Sequence, residues 1–198
     1  ELSSILDTFG EVRKGEAACS LVVLSGEEGA GKTRILREAY RAISSAGAAC
    51  AVAQCTGGDP RPSALRDLSR SARRALEPRS SEAREFDRLM ERLSRLPLET
   101  ASPLGFHRRS AAVEIHSRAF CLASQPRPLA FFIENLHLAD GLLLDLLQVL
   151  CSAEPAGAHP GRSGRGARGE RFGNGPAPRI LIVATIRPED APLAPERE

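Results

Sequence analysis

Aromatic residues are scarce in this sequence, which has seven Phe, one Tyr and no Trp among 198 residues. Surfaces that bind single-stranded nucleic acid stack bases on aromatic side chains, so the composition gives no support for such a surface. A charge of one sign is lacking as well, because 27 basic residues stand against 25 acidic ones and the net charge is +2. Charge therefore favours neither nucleic acid nor an anionic membrane as a partner.

The sequence also lacks cysteine pairs at metal-ligand spacing and long apolar runs. The five cysteines are odd in number and never at C-x-x-C spacing, so the sequence indicates neither a disulfide framework nor a zinc site. We expect most of them to be small buried apolar residues. The four histidines show no ligand spacing. No apolar run could span a bilayer and no signal-peptide pattern opens the chain, so we expect a soluble protein in the cytoplasm.

A length of 198 residues is enough for one α/β domain with a substantial core and short for two. The chain begins at Glu1 rather than Met. We therefore expect residues 1–198 to be a single domain that is part of a longer protein.

One stretch near the N-terminus carries a specific chemical pattern. An apolar, β-rich run ends at Ser25, and residues 26–33 read Gly-Glu-Glu-Gly-Ala-Gly-Lys-Thr. This spelling matches the P-loop pattern Gly-x-x-x-x-Gly-Lys-Ser/Thr, in which a strand leads into a glycine-rich loop and then a helix. A helical pattern starts at Arg34. The sequence therefore predicts a binding site for nucleotide phosphates.

Each residue type in this loop has a chemical reason. Backbone N–H groups must wrap the phosphates closely, which Gly26, Gly29 and Gly31 allow because they lack Cβ atoms. The following helix points its free N–H groups and the positive end of its dipole at the phosphates. Lys32 can reach the β- and γ-phosphate oxygens, and the Thr33 hydroxyl is placed to ligate Mg²⁺. The predicted phosphate cradle consists of the amides of Glu28, Gly29, Ala30, Gly31, Lys32 and Thr33.

An acidic residue follows the next clear strand pattern. Residues 129–133 read Leu-Ala-Phe-Phe-Ile, a continuous apolar run typical of a strand buried on both faces of a parallel sheet, and Glu134 follows it. Ligands collect at the carboxyl ends of strands in open α/β sheets, so Glu134 is a candidate to hold Mg²⁺ beside Thr33. The alternative is an acid that merely ends the strand.

A hydroxyl and a guanidinium follow the last strand pattern. Residues 180–185 read Ile-Leu-Ile-Val-Ala-Thr and lead through Ile186 to Arg187. Thr185 and Arg187 are candidates to bind the γ-phosphate, Arg187 through the parallel donors of its fork. The alternative for Arg187 is an ordinary surface arginine.

The remaining patterns predict helices around these strands and one long loop. A lead-in helix covers 1–12, a strand covers 48–54, three helices with Arg- and Glu-rich faces occupy 62–122, and Asp140 caps a further apolar helix. We interpret the arginines as a solvated face with acidic partners rather than a nucleic-acid surface. From 154 to 178 the Gly, Arg and Pro content predicts a disordered loop, with RNA binding as the less favoured alternative.

With these patterns in order, the chain resembles the nucleotide-binding domain of the STAND branch of AAA+-like P-loop ATPases, often described as Orc1-like ATPase domains. Residues 24–33 are similar to the Walker A motif of that family, 131–140 to its Walker B motif and 183–188 to its sensor-1 strand. The resemblance implies a three-layer α/β P-loop NTPase fold with a mostly parallel sheet, and binding of ATP and Mg²⁺. It also implies kinase, cyclase or DNA-binding partner domains in large bacterial signalling or transcription-regulatory proteins.

Several positions depart from the family pattern. Glu134 stands where the family usually has Asp. Asn135 stands where the family has a second acid, and an amide cannot act as the base for the attacking water. Leu138 replaces a usual Trp, and Glu28 adds a negative charge to the loop where an uncharged residue is typical. The lid and winged-helix parts that follow sensor 1 in the family are absent from the chain.

We therefore interpret the sequence as an ATP-binding regulatory switch with slow or absent hydrolysis. Glu134 and Arg187 are the catalytic candidates, and Thr33 and Glu134 are the candidate metal ligands. The first alternative is a competent ATPase in which Glu134 itself orients the water. The second is an Orc1-like module associated with nucleic acid, which the near-neutral charge does not support. A small-molecule phosphotransferase is the weakest alternative, since no acceptor site is recognisable.

Overall fold

The computed structural model describes residues 1–57, 63–96, 103–152 and 177–188, and the strands in these ranges form one parallel sheet. The strands are β1 (Cys19–Ser25), β2 (Ala49–Gln54), β3 (Leu129–Glu134) and β4 (Ile180–Ile186). Their spatial order is β1-β4-β3-β2, and every neighbouring pair is parallel. The predicted α/β class with a parallel sheet is therefore confirmed.

Helices precede and connect the strands in the predicted order. They are α1 (Leu2–Lys14), α2 (Lys32–Ser45), α3 (Ser63–Arg74), α4 (Ser81–Ser94), α5 (Pro103–Ala123) and α6 (Gly141–Cys151). A 3-10 turn at Leu136–Leu138 follows β3. Gly15 ends α1 in the left-handed conformation, with φ of 79°. The lead-in helix, the P-loop helix and the three helices between β2 and β3 are confirmed.

Helices cover both faces of the central strands β3 and β4, which explains the continuous apolar runs in these two strands. On one face, α1 and α2 pack on the sheet through a buried cluster that includes Ile5, Phe9, Leu36, Ile43, Phe132 and Val183. On the other face, α3 to α6 share a cluster that includes Leu65, Phe86, Phe120, Phe131, Leu146 and Ile182. Successive side chains of a strand alternate between faces, so Phe131 and Phe132 are buried in opposite clusters.

Several arginines on α3 and at α4 form ion pairs with acids. Arg73 on α3 donates through Nε and Nη2 to the two carboxylate oxygens of Asp87 on α4, at 2.6 and 2.8 Å. Local pairs join Arg70 to Asp67 and Arg88 to Glu85 within helices, and Arg95, just after α4, to Glu91. For these four arginines, the predicted pairing with acidic residues is confirmed.

The expectation that most cysteines are buried is wrong. Cys55 is buried, but Cys19, Cys50 and Cys121 are half-buried and Cys151 is exposed. Cys151 is the last residue of α6 and Cys19 is the first residue of β1. Side chains at the ends of helices and strands are less buried than those in the middle, and amino-acid composition does not indicate which residues lie at these ends.

Two predictions concern residues outside the described ranges. One is the disordered loop over 154–178, of which only residues 177 and 178 are described. The other is the helix start at Pro62. Within the described residues, no helix is long and apolar enough to cross a bilayer.

His116 on α5 provides a pH test of the core. Its side chain is 4% exposed, and its Nδ1 lies 2.8 Å from the carbonyl oxygen of Ala112. Burial lowers the pKa of His116, and the contact with Ala112 and the charge of Asp140 oppose that effect only in part. Because the pKa is lower in the folded state, the unfolded chain takes up the proton first as the pH falls.

The free energy of unfolding is therefore expected to be independent of His116 at high pH and to decrease as the pH falls below about 6.5, the ordinary histidine value. Urea unfolding across this pH range measures the effect. A His116→Gln variant should lose this part of the pH dependence, and an unchanged pH dependence in that variant would show that His116 is not responsible.

Candidate functional site

The carboxyl ends of the strands lie along one edge of the sheet, and the predicted site residues follow them. Ser25, the last residue of β1, pairs with Ile186 of β4. Glu134, the last residue of β3, pairs with Gln54 at the end of β2. The fold therefore brings the P-loop, Glu134 and Thr185 to the same edge, where ligands bind in open α/β sheets.

The P-loop has the backbone form that a phosphate site requires. Gly29 and Gly31 both have φ of 82°, in the left-handed region that residues with a Cβ rarely adopt. A Cβ on Gly26 would lie at ordinary contact distance, 3.4 Å, from the Ala30 Cβ. Gly31 is the N-cap of α2, and no side chain of the described residues caps it. The first N–H groups of α2 can therefore donate to an anion.

Lys32, the first residue of α2, turns its ammonium group back over the loop. Its Nζ donates to the carbonyl oxygens of Gly26 and Glu27, the latter at 2.7 Å. An ammonium group has three donors, so one donor remains for a phosphate oxygen while the loop carbonyls hold the side chain in place. Thr33, the next residue, is half-buried.

Glu134 and Thr33 are the candidate metal ligands. The described residues contain no cluster of three or more His, Cys, Asp or Glu side chains that could hold a metal without other ligands. Mg²⁺ does not need such a cluster, because it is usually bound by one or two side-chain oxygens together with phosphates and waters. The half-buried Glu134 at the end of β3 and the Thr33 hydroxyl fit this kind of site.

Asn135 and Thr185 join the ends of β3 and β4. Asn135 has φ of 57° and ψ of 48°, and its N–H donates to Oγ1 of Thr185 at 3.0 Å. Thr185 is 3% exposed, and while its hydroxyl oxygen accepts this bond its proton can still be donated. The left-handed backbone at Asn135 was not predicted, although Asn is among the side chains that tolerate it best.

Arg187 follows β4 and is held at two points. Its backbone N–H donates to Nδ1 of His137 at 3.3 Å. Its Nη1 and Nη2 donate to the two carboxylate oxygens of Glu28 in the P-loop, at 3.2 and 3.4 Å. The sequence predicts roles for Arg187 and Glu28 separately, but it carries no signal for a pair 159 positions apart.

Asp140 begins the helix that follows the 3-10 turn. Its Oδ1 accepts a hydrogen bond from the N–H of Leu143 at 2.9 Å, which satisfies one of the free donors at the start of α6. The predicted capping role of Asp140 is confirmed.

A family model described as AAA ATPase domain matches residues 1–160. The chain belongs to this family. A comparison with curated proteins finds no match. The family match contains the P-loop, β3 and Asn135, whereas Thr185 and Arg187 lie beyond it and are connected to the site by the structure alone.

As an AAA ATPase domain, the chain has a nucleotide-binding core of the ATPase type, and its parallel sheet is consistent with the P-loop NTPase fold. The resemblance to AAA-like P-loop ATPases is therefore confirmed. At the edge of the sheet where the strands end, the AAA ATPase domain has Lys32, a glycine-rich loop and the candidate metal ligands Thr33 and Glu134. It has a neutral amide directly after the acid that ends β3.

Proposed function

We propose that this AAA ATPase domain binds Mg-ATP as a STAND-type regulatory switch, with slow or absent hydrolysis. The supporting observation is the left-handed backbone at Gly29 and Gly31, which leads into the uncapped start of α2. This geometry leaves the first N–H donors and the positive end of the helix dipole available to an anion. A phosphate chain requires that arrangement.

The side chains around the loop have distinct roles in this proposal. Lys32 neutralises the β- and γ-phosphate oxygens, and Arg187 offers its fork to the γ-phosphate. Thr33 and Glu134 hold Mg²⁺, which when bound stabilises negative charge on the phosphates. Thr185 accepts a hydrogen bond from the N–H of Asn135, which holds the ends of β3 and β4 together beside the proposed γ-phosphate position. The remaining phosphate contacts come from the loop residues Gly26, Glu28, Gly29, Ala30 and Gly31.

Slow hydrolysis follows from the side chain at position 135. Phosphoryl transfer depends on positioning and charge stabilisation, and a carboxylate commonly accepts the proton or orients the nucleophile. The Asn135 amide cannot take a proton in this way. Glu134, the last residue of β3, is then the remaining acid at the end of that strand.

A competent ATPase is the second candidate function, because Glu134 is half-buried at the same edge of the sheet and its carboxylate could orient the water itself. A nucleic-acid role receives no comparable support, since Arg70, Arg73, Arg88 and Arg95 are paired with acids.

The output of the switch rests on the family resemblance. We propose that bound ATP or ADP is reported to kinase, cyclase or DNA-binding domains outside residues 1–198, in the cytoplasm. Arg187 connects the end of β4 to Glu28 in the P-loop. The nucleotide would act by favouring one arrangement of these two segments.

Thermal unfolding with and without Mg-ATP tests binding. At a ligand concentration about 100 times Kd, the free energy of unfolding should rise by about 2.7 kcal/mol. For a chain of this size that corresponds to roughly 5 to 10 °C in Tm. Chelation of Mg²⁺ should reduce the shift. An unchanged Tm at all ATP concentrations, with no heat of binding in calorimetry, would contradict the proposal.

A further inference from the structure

The pair between Glu28 and Arg187 carries an inference about nucleotide specificity. Both oxygens of the Glu28 carboxylate occupy the Arg187 fork, and the Arg187 backbone is itself fixed by His137. The Glu28 side chain is 78% exposed and that of Arg187 is 36% exposed. The contact is thus exposed to solvent, and it joins the P-loop to the residue that follows β4.

We propose that Glu28 competes with the γ-phosphate for the Arg187 fork, and so shifts the site from triphosphate towards diphosphate nucleotides. The inference rests on the proposed nucleotide site, because Glu28 is part of its loop.

The competition follows from the chemistry of the fork. A carboxylate and a phosphate both present two oxygens to the parallel donors of a guanidinium, so one fork cannot serve both. ATP must displace Glu28 from Arg187, and the freed carboxylate then lies close to additional negative charge. ADP lacks the γ-phosphate and leaves the pair intact. Because the pair is exposed, its effect should be modest and should decrease with added salt.

Titration calorimetry with Mg-ATP and Mg-ADP tests the proposal. Glu28→Gln keeps the shape of the side chain and removes its charge, so the ratio of ATP to ADP affinity should rise by roughly two- to fivefold at low salt. Glu27→Gln is the matched control, since it removes the same charge one residue away without changing the fork. Its affinity ratio should stay close to that of the natural chain.

The same substitution in a chain that lacks the Arg187 side chain shows whether Arg187 mediates the effect. If the fork mediates the effect, Glu28→Gln should no longer change the ratio when Arg187 is replaced by Gln. Equal effects of Glu27→Gln and Glu28→Gln, an unchanged ratio in Glu28→Gln, or a full effect without Arg187 would each overturn the inference. If the natural chain binds neither nucleotide, the proposed function itself fails.

Two thiols at the opposite edge of the sheet support an independent inference. Sγ of Cys19, at the start of β1, lies 3.8 Å from Sγ of Cys151, at the end of α6. A disulfide bond is about 2.05 Å long, so the sulfurs must approach by less than about 2 Å. We infer that Cys19 and Cys151 form a thiol modification site that closes to a disulfide under oxidation.

Cys151 is the attacking thiol. It is exposed, and its hydrogen bond with Cys19 lowers the pKa of Cys151, whereas that bond and burial raise the pKa of Cys19. The Cys151 thiolate attacks one sulfur of a low-molecular-weight disulfide and releases one thiolate, which takes the proton of Cys19. Cys19 then attacks Sγ of Cys151 and releases the second thiolate, which is protonated by water. The two protein thiols lose two electrons and two protons, and the oxidant becomes two thiols.

Treatment with oxidised glutathione, followed by intact mass and non-reducing peptide mapping, tests this site. The chain should lose the mass of two hydrogens and yield one crosslinked peptide containing Cys19 and Cys151, and dithiothreitol should reverse both changes. Cys151→Ser should abolish the crosslink, while Cys50→Ser, at another half-buried thiol, should not. A stable glutathione adduct on Cys151, a crosslink from Cys151 to Cys121, or free thiols at both positions would overturn the inference.

Discussion

Replacing Lys32 with alanine is expected to remove measurable Mg-ATP binding while leaving the fold intact. The ammonium group supplies charge-assisted hydrogen bonds to phosphate oxygens, and loss of one partner of such a close charge pair costs about 2 to 5 kcal/mol. That range corresponds to roughly 30-fold to several thousand-fold in Kd. The fold should persist, because Lys32 is only half-buried and its bonds within the structure go to loop carbonyls.

The chain contains one other lysine, Lys14, which makes the control direct. Lys14 ends α1 before β1, and the P-loop follows β1, so the length of the strand separates the two. Lys14→Ala should bind Mg-ATP like the natural chain. Titration calorimetry gives both affinities, and circular dichroism with Tm reports the fold. Unchanged affinity in Lys32→Ala would contradict the assignment of the phosphate site.

Replacing Asn135 with aspartate is expected to increase ATP turnover by tenfold or more. A positioned acid–base group contributes about 10² to 10⁴ in rate, and aspartate restores a carboxylate directly after Glu134. Aspartate also suits the backbone, because Asn135 has φ of 57° and Asp is among the residues that tolerate this conformation. A longer acid such as glutamate would add backbone strain, so aspartate is the cleaner substitution. Phosphate release at saturating Mg-ATP measures the rate.

Asn135→Gly is the matched control, since it also accepts the left-handed backbone but carries no side chain. It should keep the low rate of the natural chain, and the N–H bond to Thr185 should still form. An equal gain in Asn135→Gly would point to loop mobility instead of the carboxylate. No gain in Asn135→Asp would mean that the group at position 135 does not limit hydrolysis.

The strands and the phosphate loop were predictable because their signals are local. Leu129 to Ile133 form a continuous apolar run because both faces of β3 are covered by helices. The left-handed backbone at Gly29 and Gly31 follows from the glycine spacing of the loop. The cap at Asp140 needs only the N–H group of Leu143, three residues away. Each feature depends on neighbours in sequence.

The contacts that give the site its particular character depend on distant residues. Arg187 and Glu28 are joined only because β4 lies beside β1, and the sequence predicted two parallel strands without predicting their register. The hydrogen bond from Asn135 to Thr185 and the contact of Cys19 with Cys151 arise in the same way. Periodicity identifies which residues are buried. It does not identify which polar groups meet across the sheet.

The claim that this AAA ATPase domain holds ATP rather than turning it over is tested most directly by a single-turnover assay. Protein in excess over labelled ATP, with Mg²⁺, is followed for bound nucleotide and for released phosphate in the same sample. The expected result is retained ATP with negligible phosphate release. Release of phosphate within minutes, abolished by Lys32→Ala, would contradict the claim and make the domain a competent ATPase despite Asn135.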